Sequence, residues 1–338
     1  MEQVEQVEPL EPLEPCSLDN GYGSFKGCNP RNEVEVSEPS VVVIDDKKLF
    51  QDGQSNFTDI KTGAQYLVGA QALHFGQVSK GSIDSSYIES DEYRIQGLYA
   101  LDKMSVKNAY LVTGLPVEFY ADHRRKLESL IEQWESSTVK IGKCVAVPQP
   151  MGTLVDVSQD WDGVINLDLT KKRVGIIDIG QGTIDGIEAY DNQIVREKYK
   201  GKSEGISRLH EEMLVYMNKS FNEQKHKLHE MDGYLRNNNF YYKGDAINFL
   251  EGKNAQEIKK LKKNMIKKVK DLIDEIWPDG TATLFKLVFT GGGADILREE
   301  LIKAFPAKQV VIPEEPSMSN ARGFSKLALR LASQYENG

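Results

Sequence analysis

At 338 residues the chain is longer than one hydrophobic core ordinarily serves, so two domains are expected, and its 40% hydrophobic and 28% charged residues are the balance of an ordinary globular protein. The formal net charge of −9 argues against non-specific binding to DNA or to an anionic lipid surface. Three cysteines, Cys16, Cys28 and Cys144, are odd in number and form no Cys-x-x-Cys pair, which points to a reducing compartment and away from structural zinc.

The N-terminus carries neither a basic region nor an apolar stretch, so it is not read as a secretory signal. The longest apolar runs, such as Val41 to Ile44, are far too short to span a bilayer, and a cytoplasmic location with no membrane contact is expected. Residues 1–16 read as a disordered acidic tail. Glu2, Glu5, Glu8, Glu11 and Glu14 recur every third residue with Pro9, Pro12 and Pro15 between them, a pattern with nothing to bury. Residues 34–50 read as strands, 81–91 as a polar loop, and "NAYLVTGLPVEFY" (108–120) as a strand ending at Gly114 and Pro116. A helix follows with Leu127, Leu130, Ile131 and Trp134 on one face. "KCVAVPQPMG" (143–152) is a further strand, broken by Pro148 and Pro150.

In the second half, Val174, Ile176, Ile177 and Ile179 form a buried strand. A strand hairpin turning at Asp191–Asn192 comes next, and then a helix carrying Ile206, Leu209, Met213 and Met217. The spacing of Ile258, Leu261, Met265, Val269, Leu272, Ile273 and Ile276 predicts a long helix whose other face is rich in lysine, read as solvated or, in a polymer, as a contact with a neighbouring strand. "LFKLVFTGGGADILREELIKAF" is strand, glycine turn and helix, and "SNARGFSKLALRLAS" closes the chain as a helix. Interleaved strands and helices throughout argue α/β.

One pattern occurs twice. Residues 18–26 read "LDNGYGSFK" and residues 177–185 read "IDIGQGTID", so that Asp19, Gly21, Gly23 and Ser24 align with Asp178, Gly180, Gly182 and Thr183. A duplicated domain with one phosphate-gripping turn per half explains this, the two turns facing each other across a cleft. The glycines admit close backbone approach, Ser24 and Thr183 add hydroxyls, and Asp19 and Asp178 suit the waters of a magnesium ion. A dinucleotide fingerprint is excluded because strands, not a helix, follow the second turn. "GKS" at 201–203 is not a P-loop, since Arg196 stands where its leading glycine belongs. His226 and His229 have a metal-compatible spacing but lack carboxylate or cysteine partners in pattern.

With these motifs the sequence resembles the actin/sugar-kinase/heat-shock ATPase superfamily, and within it the ParM/StbA-type bacterial actins. "LDNGYGSFK" and "IDIGQGTID" resemble the family's two phosphate loops, "VFTGGGADIL" its adenosine motif, and "VTGLPVEFY" and "NARGF" its further signatures. The resemblance implies two related domains, each a mixed sheet flanked by helices, with nucleotide in the cleft between them. Domain I would take residues 17–172 and the C-terminal helix 318–338, and domain II residues 173–317. It also implies ATP or GTP with magnesium as cofactors. The phosphates would lie among Gly21, Tyr22, Gly23, Ser24, Lys26, Gly180, Gln181, Gly182 and Thr183, and the adenosine beside Gly205, Gly291, Gly292 and Gly293. Asp19 and Asp178 would serve the metal through water, with Gln149 and Asp178 catalytic. Gln149 would orient the attacking water, because a glutamine is a poor base. Lys26 reads equally as a solvated surface lysine, and Gln149 as the cap of a strand end. The implied function is a magnesium-dependent ATPase, with GTPase activity left open by the resemblance. It would polymerise with its own kind and move plasmid DNA through an adaptor protein on a centromere-like site, without touching nucleic acid itself. A sugar-kinase-like or chaperone-like ATPase on the same fold is the alternative.

Overall fold

The computed structural model describes residues 12–45, 56–75 and 85–336. The first strand, β1 (Glu14–Asn20), pairs antiparallel with β2 (Ser24–Asn29), and β2 pairs in the same way with β3 (Val34–Pro39). A small separate sheet of β4 (Val42–Ile44), β5 (Phe57–Thr58) and β6 (Gln65–Val68) follows, then α1 (Ala70–Phe75). Next comes α2 (Asp91–Lys103), with Ser90 accepting the Tyr93 N–H as its N-cap. The parallel strands β7 (Asn108–Leu115) and β8 (Lys140–Pro148) complete the first sheet in the order β3-β2-β1-β7-β8, with α3 (Val117–Ile131) between them.

From β8 the chain passes directly into α4 (Gln149–Ser158) and then α5 (Leu167–Thr170). The second sheet repeats the plan. β9 (Val174–Ile179), β10 (Ile184–Tyr190) and β11 (Gln193–Lys202) form an antiparallel meander, with positive φ at both Asp191 and Asn192 as a two-residue hairpin turn requires. Two helices, α6 (Ser207–Ser220) and α7 (Glu230–Asn237), precede the hairpin β12 (Asn239–Tyr242) and β13 (Asp245–Asn248). After the 25-residue α8 (Gly252–Ile276) come β14 (Lys286–Thr290), α9 (Gly291–Ile296), α10 (Arg298–Ala304) and β15 (Val310–Val311). The resulting order, β11-β10-β9-β14-β15, has the same mixture of antiparallel and parallel neighbours as the first sheet. The last helix, α11 (Ser319–Glu336), returns to the first sheet, packing Phe324, Leu327 and Ala328 on Tyr110 and Val112.

The architecture is the expected α/β fold of two related sheets flanked by helices. Three local expectations are corrected. β1 starts at Glu14, inside the stretch assigned to the tail: Glu14, Pro15 and Cys16 pair with Ala109, Tyr110 and Leu111 on β7. Cys16 and Leu18 are fully buried, so this short strand is held by packing despite its proline. The rest of that tail, residues 1–11, lies outside the described residues, as does 81–84 of the expected loop; the remainder of that loop is a 3-10 turn, Ser85–Glu89, leading into α2. Finally, Pro148 and Pro150 do not merely break a strand. They start a helix, Pro150 sitting in the first turn of α4 where a missing N–H costs nothing.

Helices α4 and α11 cross in near contact between the two sheets. A Cβ on Gly323 would lie 1.7 Å from the Gly152 carbonyl oxygen, so only glycine permits this approach. Lys326, buried and lying over the Trp161 ring, donates to the carbonyls of Asp156 and Gln159 and to the Asp156 carboxylate, tying off the C-terminal end of α4. This crossing fixes Gln149 and Asn320 at the mouth of the cleft.

Candidate functional site

The hairpins β1–β2 and β9–β10 are one device built twice. In each, the first glycine N–H closes the turn, Gly21 to the Ser24 carbonyl at 3.2 Å and Gly180 to the Thr183 carbonyl at 2.9 Å. The loop carbonyls are then drawn away from the cleft. Ser40 donates to the carbonyls of Gly21 and Gly23, and the amides of Gly205, Ile206 and Ser207 donate to those of Gly182, Gly180 and Gln181. Among the described residues no acceptor meets the N–H groups of Gly23, Gln181 and Gly182. Two nests of unengaged amides therefore face each other, which is an anion-binding arrangement. The loops touch: a Cβ on Gly23 would lie 2.7 Å from that of Gln181.

Between them lies a cleft of about 910 Å³, lined by both loops, by Lys26 and Gln149, and by Gly291, Gly292, Arg236 and His210. Asp19 is 4% exposed and Lys26 8%, so Lys26 is not a solvated lysine. Its Nζ lies 3.5 Å from Asp19 Oδ2, while Gln149 Nε2 donates to Asp19 Oδ1 at 3.0 Å. Gln149 is the first residue of α4, not a strand-end cap, and its amide is aimed into the cleft by Asp19.

Asp178, at the end of β9, is held from across the cleft. Asn320 Nδ2 on α11 donates to its Oδ2 at 2.6 Å, and Thr153 on α4 donates both its amide and its hydroxyl to Asn320 Oδ1. The helix that begins with Gln149 is thus connected to Asp178 through one amide side chain. Burial first, and then the charge of Asp19, raise the Asp178 pKa to about 6. The second aspartate of the motif, Asp185, is 1% exposed and stands opposite Asp178 in the ladder. It accepts the Thr183 hydroxyl at 2.7 Å and the Val117 amide at 2.9 Å. The Val117 contact caps α3, whose own cap residue is Pro116 and supplies no side-chain acceptor. Burial raises Asp185 to about 7.

At the far end of the cleft Gly291, with φ +82°, begins α9; a Cβ there would meet Asp178 Oδ1 at 2.3 Å. Arg236 donates to the Gly292 carbonyl and to Asp232 and Asp295. His210 shares a 3.4 Å contact with Gln181 and sits 3.7 Å from Asp232. Two of the glycines expected beside the adenosine do not line the cleft: Gly293 packs on Ile179, and Gly205 packs on the Gln181 carbonyl behind the second loop. A Cβ at either would strike these neighbours, so the packing of the site itself requires both glycines. The residues that sequence reasoning missed are Asn320, Thr153, Asp185, Arg236 and His210. Asn320 and Asp185 stood inside quoted motifs, yet only the fold reveals their partners.

The site suits a hydrated cation better than a naked one. Among the described residues no three His, Cys, Asp or Glu side chains converge to hold a metal. Burial, and after it the charge of Asp19, raises the Asp178 pKa, while Asn320 and Lys26 lower it. The pair Asp19 and Asp178 could hold a magnesium ion through its waters. His226 does not pair with His229 as a metal site; it is buried against Phe221, Tyr234 and Phe240.

Comparisons with known proteins match the fold of both halves. The family model of actin-like proteins, N-terminal domain, matches residues 17–152, and that of the archaeal MreB-like actin homologues, C-terminal, matches residues 176–303. Among solved structures, a 15-stranded ParM filament from Clostridium botulinum is 19% identical with a TM-score of 0.74, over 94% of this chain and 99% of that one. An archaeal actin homologue in complex with ADP is 16% identical at TM-score 0.70, over 94% and 100%. MreB 5 of Spiroplasma citri bound to AMPPNP is also 16% identical at TM-score 0.70, over 96% and 98%. At these identities the likeness shows the fold. No curated protein matches the chain by sequence.

Proposed function

The chain belongs to the actin-like proteins, and from that premise we propose that it is a filament-forming hydrolase of ATP or GTP. The observation that carries this reading is the pair of amide nests facing each other across one cleft, each on its own sheet. A triphosphate bridging them would fix the angle between the two halves, and a fixed angle is what identical neighbours in a polymer need. On this reading the two halves are residues 17–172 with the C-terminal helix, and residues 173–317.

The roles follow from the geometry. The unengaged amides of Gly23, Gln181 and Gly182 bind phosphate oxygens, and Lys26 neutralises their charge. Gly291 and Gly292 lie beside the nucleoside. Asp19 and Asp178 would hold magnesium through its waters, and that ion would supply charge neutralisation for the phosphates. Gln149, fixed by Asp19, orients the attacking water by hydrogen bonding; catalysis then rests on positioning and charge stabilisation rather than on a strong base. A 15-stranded ParM filament among the structural neighbours supports assembly with other copies of this chain. Plasmid segregation through a DNA-binding adaptor is what the sequence resemblance to the ParM-type actins implies. Among the described residues no helix is long and apolar enough to cross a membrane.

Sedimentation tests the reading. The protein alone should stay in the supernatant and should pellet, above a critical concentration, once ATP or GTP and magnesium are added. Phosphoryl transfer to a sugar, with no sedimentation at any concentration, would replace this reading with a kinase.

A further inference from the structure

Far from the cleft, α8 and α10 enclose a second groove of about 350 Å³. Its rim is mainly basic: Lys259, Lys263, Lys267 and Lys270 run along one face of α8, Lys303 faces them from α10, and Glu300 is the one carboxylate among its lining residues. Its floor is apolar, made by Ile266 and Ala304. Among the described residues Lys259, Lys263 and Lys267 form no ion pair or hydrogen bond; Lys303 pairs only with Glu299 on its own helix. Five cations on one small groove are unusual in a chain with a net charge of −9, and like charges so close cost energy unless something anionic covers them.

The chain contains a segment of matching chemistry. Residues 1–12, "MEQVEQVEPLEP", place Glu2, Glu5, Glu8 and Glu11 at every third position, with Val4, Val7 and Leu10 at the same period. Bound in a polyproline-type conformation of three residues per turn, such a peptide presents its carboxylates along one edge and its apolar side chains along another. That is the complement of a lysine rim over an apolar floor. The segment leaves from the first sheet, where Leu13 packs with the Tyr110 and Val112 cluster, whereas the groove belongs to the core beneath the second sheet.

We infer that the groove between α8 and α10 receives the acidic N-terminal segment of a second copy of the chain. Each copy then carries one tail and one groove, a head-to-tail contact that propagates where the rotation between copies does not close a ring. The contact adds to the polymer reading, but it can be measured without polymerisation.

A fluorescent synthetic peptide of residues 1–12 should bind the full-length protein in nucleotide-free buffer, with anisotropy rising saturably. Added salt should weaken binding, since the pairs are solvent-exposed. The double substitution Lys263→Glu with Lys267→Glu should weaken it about tenfold or more, because two attractions become two repulsions. A peptide carrying Glu5→Lys and Glu8→Lys should regain affinity for that variant while losing it for the wild-type groove. This swap reports charge pairing and is independent of any loss of fold. Deleting residues 1–11 should leave the groove's affinity for free peptide unchanged. A marked gain of affinity in the deletion would mean that each groove is covered by its own tail, and would overturn the second-copy assignment. No binding at low salt, or an oligonucleotide of equal charge binding more tightly than the peptide, would overturn the tail as occupant.

Discussion

Loop 1 and loop 2 share a turn, a register and a tied-back set of carbonyls, and differ in the charge of one paired position. Where loop 1 sets Lys26 opposite Asp19, loop 2 sets Asp185 opposite Asp178. Loop 1 therefore contains its own counter-charge, whereas loop 2 brings two buried carboxyl groups together with none. Both carboxyl groups of loop 2 are raised, to about 6 and about 7, first by burial and then by a neighbouring charge, that of Asp19 on Asp178 and that of Asp178 on Asp185. A duplicated hairpin has been divided into a half that offers positive charge to phosphate and a half that calls for a cation. Asp185 adds a second distinction: it holds the α3 amide of the other half, so loop 2 alone is connected across the cleft by its own side chain.

That contrast can be broken from either side. The largest effect is expected at Asp178. Asp178→Asn keeps its shape and its contact with Asn320 but removes the charge, so magnesium-dependent nucleotide affinity should fall about 10- to 100-fold, while affinity measured in a chelator should change little. Calorimetric titration with and without magnesium separates the two. Lys26→Ala should do the reverse. It should weaken nucleotide binding about tenfold with or without magnesium, the scale of one lost hydrogen bond to a charged group. Equal magnesium sensitivity in both variants would remove the division of labour.

A third, smaller effect concerns pH. A carboxyl group whose folded pKa lies above its unfolded value, near 4, binds its proton more tightly in the native state. The stability linked to Asp178 and Asp185 is thus complete below about pH 4 and is lost as pH rises through about 6 and about 7. Urea unfolding of the nucleotide-free protein, compared with Asp185→Asn across that range, should show the variant gaining a few kcal/mol relative to wild type by about pH 8. Asp59, held down to about 2 by Arg94, acts in the opposite direction at lower pH and cancels in the comparison. An unchanged difference across the range would mean that Asp185 is not a buried acid of this kind.

Asp178 was legible in the sequence because a carboxylate ending a run of branched apolar residues has few structural uses, and the second copy at Asp19 gave that signal its weight. The helix α8 was legible for a similar reason, since every residue assigned to its apolar arc is buried. Asn320 and Thr153 were not, because their partners lie 142 and 167 residues away and no local pattern marks a side-chain relay. α2 escaped because it is buried nearly all round, with Tyr93, Ile95, Gln96, Leu98 and Tyr99 inside, so its periodicity is weak. The start of β1 was hidden beneath the period-three acidic pattern that runs into it. Gly205 and Gly293 show the remaining difficulty: a glycine needed by the packing behind a site looks the same in sequence as one needed by the ligand.

Gln149 carries the central claim, that one cleft both closes on nucleotide to assemble the polymer and later hydrolyses it. The direct measurement follows phosphate release and light scattering in one sample of Gln149→Ala after addition of nucleotide and magnesium. Scattering should rise as in the wild type and then persist, while phosphate appears about a hundredfold more slowly, the typical cost of a lost positioning contact in the transition state. Wild-type phosphate release from that variant, or no rise in scattering from the wild type itself, would contradict the account.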